Sequence, residues 1–295
     1  MNTALSLTHR NLKLFFRDKA SVFFSLLSML IIVMLYALFL GKIQVQSIEE
    51  SVGRTIPGAE WLVNSWIFAG ILAVGTVTVS LGAYGTMVDD VHSGRIKDFF
   101  VSPMRRSQLV AGYMVSAALI SLIINLVVLV VAEAYIVITG GQLLNPMQML
   151  ETLGILCLSI FSFSSLVCFI TSYVKSPNAF GALSTILGTM IGFLTGSYVP
   201  VGILPGAVVT AIKCIPFTYS ALWLRQVFTT EPMQQVFAGA PAQAAKGYAD
   251  LYGINMYFGD TPILPWMMAL IIAVTGVVFF ALSIWRLSKR TWIMK

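Results

Sequence analysis

Charge is scarce in this chain. Asp, Glu, Lys and Arg make up 10% of its 295 residues, against 58% hydrophobic side chains and a mean hydropathy of +0.87. A soluble domain carries about 25% charged residues, and one globular core cannot hide this much apolar surface. The bilayer must therefore act as solvent. Cysteine is as sparse: Cys157, Cys168 and Cys214 form no CxxC, which excludes a disulfide framework or a metal knuckle. The two histidines, His9 and His92, lack ligand-like spacing and read as solvated or interfacial. No metal site is expected.

Energy-coupling chemistry is missing too. No GxxxxGK[ST] occurs, since Gly41-Lys42 and Lys246-Gly247 lack the remaining elements of a phosphate loop. The chain therefore has no P-loop of its own. Ion-coupled carriers place titratable groups near the bilayer midplane. Here the carboxylate well inside a span is Glu133, about 36 Å along its helix from Leu109 at about 1.5 Å per residue. That places it at the outer interface, where snorkelling or pairing accounts for it better than a proton relay, while Asn125 lies nearer the middle. The apolar spans carry no Ser/His/Asp, Cys/His or paired-carboxylate arrangement, which argues against an intramembrane hydrolase. The net charge of +6 is dispersed in small clusters, so it does not indicate nucleic-acid binding.

What the chain does have is long apolar runs. Six stretches, near 20–41, 63–88, 109–138, 150–173, 179–200 and 263–286, reach the roughly 20 residues that cross about 30 Å of hydrocarbon. About twenty residues with four basic side chains precede the first run, which is itself long enough to span, so a cleavable signal peptide is not expected. With the N-terminus inside, thirteen of the 18 Lys and Arg residues fall on inner segments. The positive-inside rule then places both termini in the cytoplasm of a multi-pass cell-membrane protein. The expected fold class is an all-α polytopic membrane protein, a single transmembrane domain over 1–295.

Segments between the spans carry further patterns. In 1–19, Leu5, Leu12, Phe15 and Phe16 fall on one side of a helix and Arg10, Lys13 and Arg17 on another, predicting an amphipathic interfacial helix; a solvated basic leader is the alternative. On the fifth span Ser184, Gly188, Gly192 and Gly196 recur every four residues. Such a stripe of small residues suits a subunit interface, a pathway face or packing within the protomer. Pro200, Pro205 and Pro216 interrupt an apolar stretch that reads as a re-entrant hairpin on the outer side. Residues 229–262 read as a polar outer loop.

The densest charge is the island DDVHSGRIKDFFVSPMRRSQ over 89–108, with seven Asp, Lys or Arg residues in twenty. Gly94 is expected to end the descending helix and Arg95–Val101 to form a short one. That helix presents Ile96, Phe99 and Phe100 as apolar contacts and Arg95, Lys97 and Asp98 as polar ones, before Pro103 stops it and Ser107 caps the next span. A charged inner loop with an apolar anchor fits docking of a separate cytoplasmic energy-supplying protein; a topology-setting loop without a partner is the alternative.

This island and the entry to the third span resemble the first inner loop of ABC-2-type transport permeases, on Gly94, Phe99, Phe100, Pro103, Leu109 and Gly112. The stretch SYVPVGILPGAVVTAIKCIPFTYSALWLR resembles that family's segment after the fifth span, on Pro200, Pro205, Pro216, Tyr219 and Arg225. The sequence departs from the family pattern at Asp89-Asp90, where relatives often carry Glu, and at Ile215, where they often carry Asn. The resemblance implies an ABC exporter's permease subunit, with 89–108 as the coupling loop (Asp89, Asp90, Gly94, Arg95, Lys97, Asp98, Phe99, Phe100, Pro103). It implies two cytoplasmic ATPase subunits that hold the ATP and Mg, and a second copy of this chain or a paralogue. It nominates Thr76, Thr78 and Ser80 of the second span and Gly188, Gly192 and Phe193 of the fifth as pathway residues, beside Ser184 and Gly196 of the stripe. A pathway poor in charge suggests a hydrophobic or amphipathic cargo such as a drug, lipid or peptide. A lipid-linked glycan exporter, an ion-coupled carrier and a non-transporting membrane scaffold or sensor are the alternatives.

Overall fold

A computed structural model describes residues 3–52, 57–101 and 106–289. Six of its helices are long and apolar enough to cross a bilayer, and the all-α polytopic fold follows from them. Helix α1 (Thr3–Arg17) leads into α2 (Lys19–Leu35). Asp18 caps α2, accepting the Ala20 and Ser21 amides at 3.0 and 3.3 Å and the Ser21 hydroxyl at 2.7 Å. A π-helical turn at Tyr36–Leu40 joins α2 to α3 (Gly41–Val52), so the first span runs past its apolar section.

The second span is α4 (Ala59–Ala83), continued by α5 (Gly85–His92). It has no strong polar face, and it is the buried axis of the bundle: Leu62, Trp66, Leu72, Val74 and Tyr84 are all core. Glycine allows the close approach. A Cβ on Gly82 would sit 2.8 Å from that of Ser25, and one on Gly75 would overlap the Met29 side chain.

After α6 (Ile96–Val101), the third span α7 (Arg106–Ile138) and fourth span α8 (Pro146–Thr171) enclose this axis with α2. A capping box starts α8, with Asn145 accepting the Gln148 amide while Gln148 accepts that of Asn145. Glu133 accepts the Leu144 amide at 3.0 Å in the turn between the two spans.

The fifth span α9 (Pro177–Leu194) stops short of the expected 200, because the chain turns through Gly196 at φ +65°. Beyond it, α10 (Gly206–Lys213) and α11 (Pro216–Val236) meet at 94°. The α11 N-terminus is deep in the bundle, where Phe217 stacks edge-on to Phe163 at 4.8 Å, and its C-terminal part reaches Asn145 through Glu231. The bend breaks this apolar stretch into two helices, the form of a broken span or a re-entrant segment. The stretch expected as a polar loop instead holds the end of α11, α12 (Ala242–Leu251) and a two-stranded ribbon, β1 (Tyr257–Phe258) and β2 (Thr261–Pro262). The sixth span, α13 (Pro265–Lys289), packs along α8, and its Ser283 hydroxyl donates to the Ser165 carbonyl at 3.1 Å. We term the end carrying α6 the loop end and the opposite end the far end.

Candidate coupling site, cleft and far-end cluster

Helix α1 has three faces rather than two. Leu7, Thr8, Asn11 and Phe15 are buried against the bundle, Arg10, Lys13 and Arg17 form the basic side, and Leu5 and Phe16 are exposed. Phe15 therefore belongs to the protein-facing side and not to the stripe of Leu5 and Phe16. The buried face mixes apolar and polar residues because it docks on α7. Leu7 occupies the space a side chain at Gly112 would need, 2.7 Å from that Cβ position, and Asn11 donates to the Ser116 hydroxyl at 3.2 Å.

Beside this contact lies the main ionic feature among the described residues. Arg10 grips Asp90 with two parallel bonds, Nη1 to Oδ2 at 2.7 Å and Nη2 to Oδ1 at 2.8 Å. The Tyr113 hydroxyl donates to the same Oδ2 at 2.7 Å, and Arg95 stands 3.6 Å from Oδ1. The hydrogen bond to the Asp90 carboxylate raises the Arg10 pKa above its ordinary value against the opposing effect of burial. Arg10 also lies over the Phe99 ring, 5.5 Å from its centroid. One carboxylate thus ties together α1, α5, α7 and the segment entering α6.

The acidic pair is divided by this arrangement. Asp90 is fully buried and spends its oxygens within the chain, whereas Asp89 is exposed. Gly94 adopts φ +78° just past the end of α5, a conformation that favours glycine, and so turns the chain into α6. On α6, Ile96 is buried and Phe99 is half-buried against the core, while Lys97 and Asp98 are exposed beside Arg95. Pro103 lies outside the described residues, as do the side chains of Phe100 and Ser107.

Between α2, α4–α5 and α9 runs a cleft of about 500 Å³. Hydroxyls of Ser25, Ser28, Thr78, Ser184, Thr185 and Thr189 alternate with Phe24, Leu27, Ile31 and Phe180, and Asp89 sits at its loop end. Of the nominated residues, Thr78, Ser184 and Gly188 line it. Thr76 and Ser80 are buried in helix packing and bond backwards to the Ala73 and Thr76 carbonyls at 2.7 Å. The stripe is met from within the chain at two points: Ser28 donates to the Gly188 carbonyl at 2.8 Å, and the Tyr198 ring occupies the space beside Gly192. Phe193 is exposed and stacks edge-on to Tyr198 at 5.1 Å. Gly196 is enclosed by Val201.

At the far end the prolines shape the hairpin. Pro200 precedes a single 3-10 turn, Pro205 precedes α10, and Pro216 opens α11. The Tyr219 hydroxyl donates to the Lys213 carbonyl and closes the α10–α11 corner. Arg225 is 1% exposed; its guanidinium lies 4.7 Å from the Trp66 ring, and Nη2 donates to the Ser197 hydroxyl at 3.3 Å.

Sequence reasoning did not foresee Arg10, Asn11, Tyr113 and Ser116 as parts of one junction. Their signal was the polar residues interleaved with Leu7 and Phe15, which a two-faced reading of α1 passes over.

The family model described as ABC-2 type transporter matches residues 3–229, from α1 through the junction and cleft to the hairpin. No match was found among curated proteins.

Proposed function

The chain belongs to the ABC-2 type transporter family, and from that premise we propose that it is the permease of an ATP-driven exporter moving a hydrophobic or amphipathic cargo out of the cytoplasm or inner leaflet. Membership makes it a multi-pass transport subunit that pairs with an ABC ATPase. The observation that carries the cargo class is the cleft, where hydroxyls alternate with large apolar side chains and the charge is confined to Asp89 at one end. Such a wall solvates a molecule with one apolar and one polar side, and it offers little to a highly charged solute.

In this reading the loop end faces the cytoplasm, as do both termini. ATP and Mg are bound in two copies of the ATPase, and a second permease, identical or paralogous, completes the pathway. The exposed Lys97 and Asp98 meet the ATPase, while Ile96 and Phe99 hold α6 to the bundle from behind. Movement of α6 reaches the spans through the Asp90 junction, because Asp90 bonds to residues on both α1 and α7.

The test begins with a pull-down from native membranes, comparing the tagged chain with Lys97→Glu/Asp98→Lys. An ABC ATPase comes down with the wild type and is lost with the variant, whose melting temperature is unchanged because both side chains are exposed. Inside-out vesicles carrying the captured complex then accumulate a long-chain fluorescent amphiphile with ATP, and a proton ionophore has no effect. Accumulation that collapses with the ionophore and ignores ATP would replace the exporter with an ion-coupled carrier.

A further inference from the structure

The far end holds a second polar site that the packing of the bundle leaves unexplained. Arg225 is a buried cation, and no carboxylate among the described residues lies within ion-pair distance of it. Its Nε has no hydrogen-bond partner. The compensation it receives is the Trp66 face and the Ser197 hydroxyl, and that hydroxyl is already shared with Thr195 at 2.9 Å. Burying a guanidinium costs more than an aromatic face and one neutral hydroxyl return.

The surroundings are prepared for a partner. Trp66 contacts both Arg225 and the ring of Tyr36, whose hydroxyl is a second buried donor without an acceptor. Tyr36 begins the π-helical turn of the first span, a distortion that recurs at functional positions. Glycines border the guanidinium: Cβ atoms on Gly196 and Gly253 would stand 3.4 and 3.3 Å from Nη1, and one on Gly70 would stand 3.7 Å from Nη2. Val201 and the Ser197 hydroxyl are the nearer atoms at these positions, so the guanidinium is packed among glycine backbone, Val201 and Ser197.

The site also adjoins the cleft. Tyr198 reaches toward the cleft, its hydroxyl 3.5 Å from the Gly188 carbonyl, while the neighbouring Ser197 holds Arg225. Gly188 of the cleft wall, Tyr198, Ser197 and Arg225 thus form a continuous run of contacts.

We infer that Arg225, with the Tyr36 hydroxyl, is the recognition point for an anionic group, a phosphate or carboxylate, on the head of an amphiphile passing the far end. Trp66 lies against the cation; the anion takes its place, accepting from the guanidinium fork as phosphates and carboxylates do. The inference rests on the amphipathic-cargo reading and narrows it to anionic amphiphiles.

The test is binding of dodecyl phosphate and of neutral dodecanol to the full chain in phosphatidylcholine nanodiscs, without ATP or ATPase. A failed export assay therefore leaves the result standing, and a failed binding assay leaves the permease reading intact. Wild type prefers the phosphate by about tenfold or more, the scale of one charge-assisted interaction. Arg225→Gln abolishes the preference, Arg225→Lys retains part of it, and Tyr36→Phe lowers it about threefold. Should Arg225→Gln fail to assemble on gel filtration, Arg225→Lys and Tyr36→Phe decide. Wild-type preference in every variant that assembles overturns the inference, as does a wild type with no preference. Repeating the titration in nanodiscs containing phosphatidylglycerol identifies the source of the anion. Competition that is lost in the variants assigns the site to a lipid headgroup, and its absence assigns it to a free amphiphile.

Discussion

Asp90 illustrates how much one side chain can organise when it is buried with its partners. Its carboxylate receives Arg10 and Tyr113 at hydrogen-bond distance and Arg95 at 3.6 Å. Removing it leaves Tyr113 without its acceptor and Arg10 with the Asn11 amide oxygen alone, and breaking a buried pair by deleting one partner costs about 3–5 kcal/mol. Arg10 is partly exposed and recovers hydration when Asp90 is removed, so Asp90→Ala falls at the lower end of that range, whereas Arg10→Ala leaves the buried carboxylate with Tyr113 and the more distant Arg95 and costs at least as much. A double-mutant cycle read by thermal unfolding in detergent gives a coupling of about 2 kcal/mol; additive effects would mean that the contact carries no energy. The same scale applies to Gly192, where a Cβ would lie 2.3 Å from the Tyr198 ring. Gly192→Ala destabilises by about 1–3 kcal/mol through overpacking. In a Tyr198→Ala background the same substitution is close to neutral, and melting temperatures of the four chains check this. A packing role for the stripe within the chain predicts that rescue, whereas an interface role alone does not.

Among the elements, those governed by transfer free energy were legible in the sequence and those governed by local turn geometry were not. The spans follow from hydropathy, and the break between α10 and α11 from prolines in an apolar stretch, because each depends on composition within one segment. The early end of α9 depends on how Gly196 turns and on Val201 and Tyr198 folding back, which no single segment encodes. The faces of α1 were misjudged for a related reason: its apolar stripe is the exposed one, and its docking face is defined by Gly112 and Ser116 of a helix about a hundred residues away. Thr76 and Ser80, nominated for the pathway, are buried and donate to carbonyls of their own helix, as Thr78 of the cleft wall does too. Asp18 is the element-scale feature with a measurable pH signature. As the N-cap of α2 its carboxylate is held below its ordinary pKa, chiefly by the Ser21 hydroxyl. A lowered native value means that the contribution is complete above the unfolded-state pKa of about 3.9 and is lost as pH falls through the native one. Asp18→Ala therefore costs about 1 kcal/mol at neutral pH. In thermal melts at stepped pH, the gap from wild type closes in acid; a gap that persists there would place the effect elsewhere.

Across the whole molecule, the proposed exporter requires the loop end to face the cytoplasm, and the support for that orientation is charge asymmetry rather than any one contact. The loop end gathers Arg10, Lys13, Arg17, Lys19, Arg95 and Lys97, while the far end carries few basic side chains, among them the exposed Lys246 on α12. A single Lys97→Cys and a single Lys246→Cys test the arrangement, labelled with a membrane-impermeant maleimide in right-side-out and inside-out vesicles. The unmodified chain, with Cys157 and Cys214 exposed, supplies the background. Position 97 labels from the cytoplasmic side and position 246 from the outside. The reverse pattern would put the coupling helix beyond the reach of any cytoplasmic ATPase. The cleft would then run from Asp89 at the outer surface toward Tyr198 at the inner one, and the same structure would describe an importer.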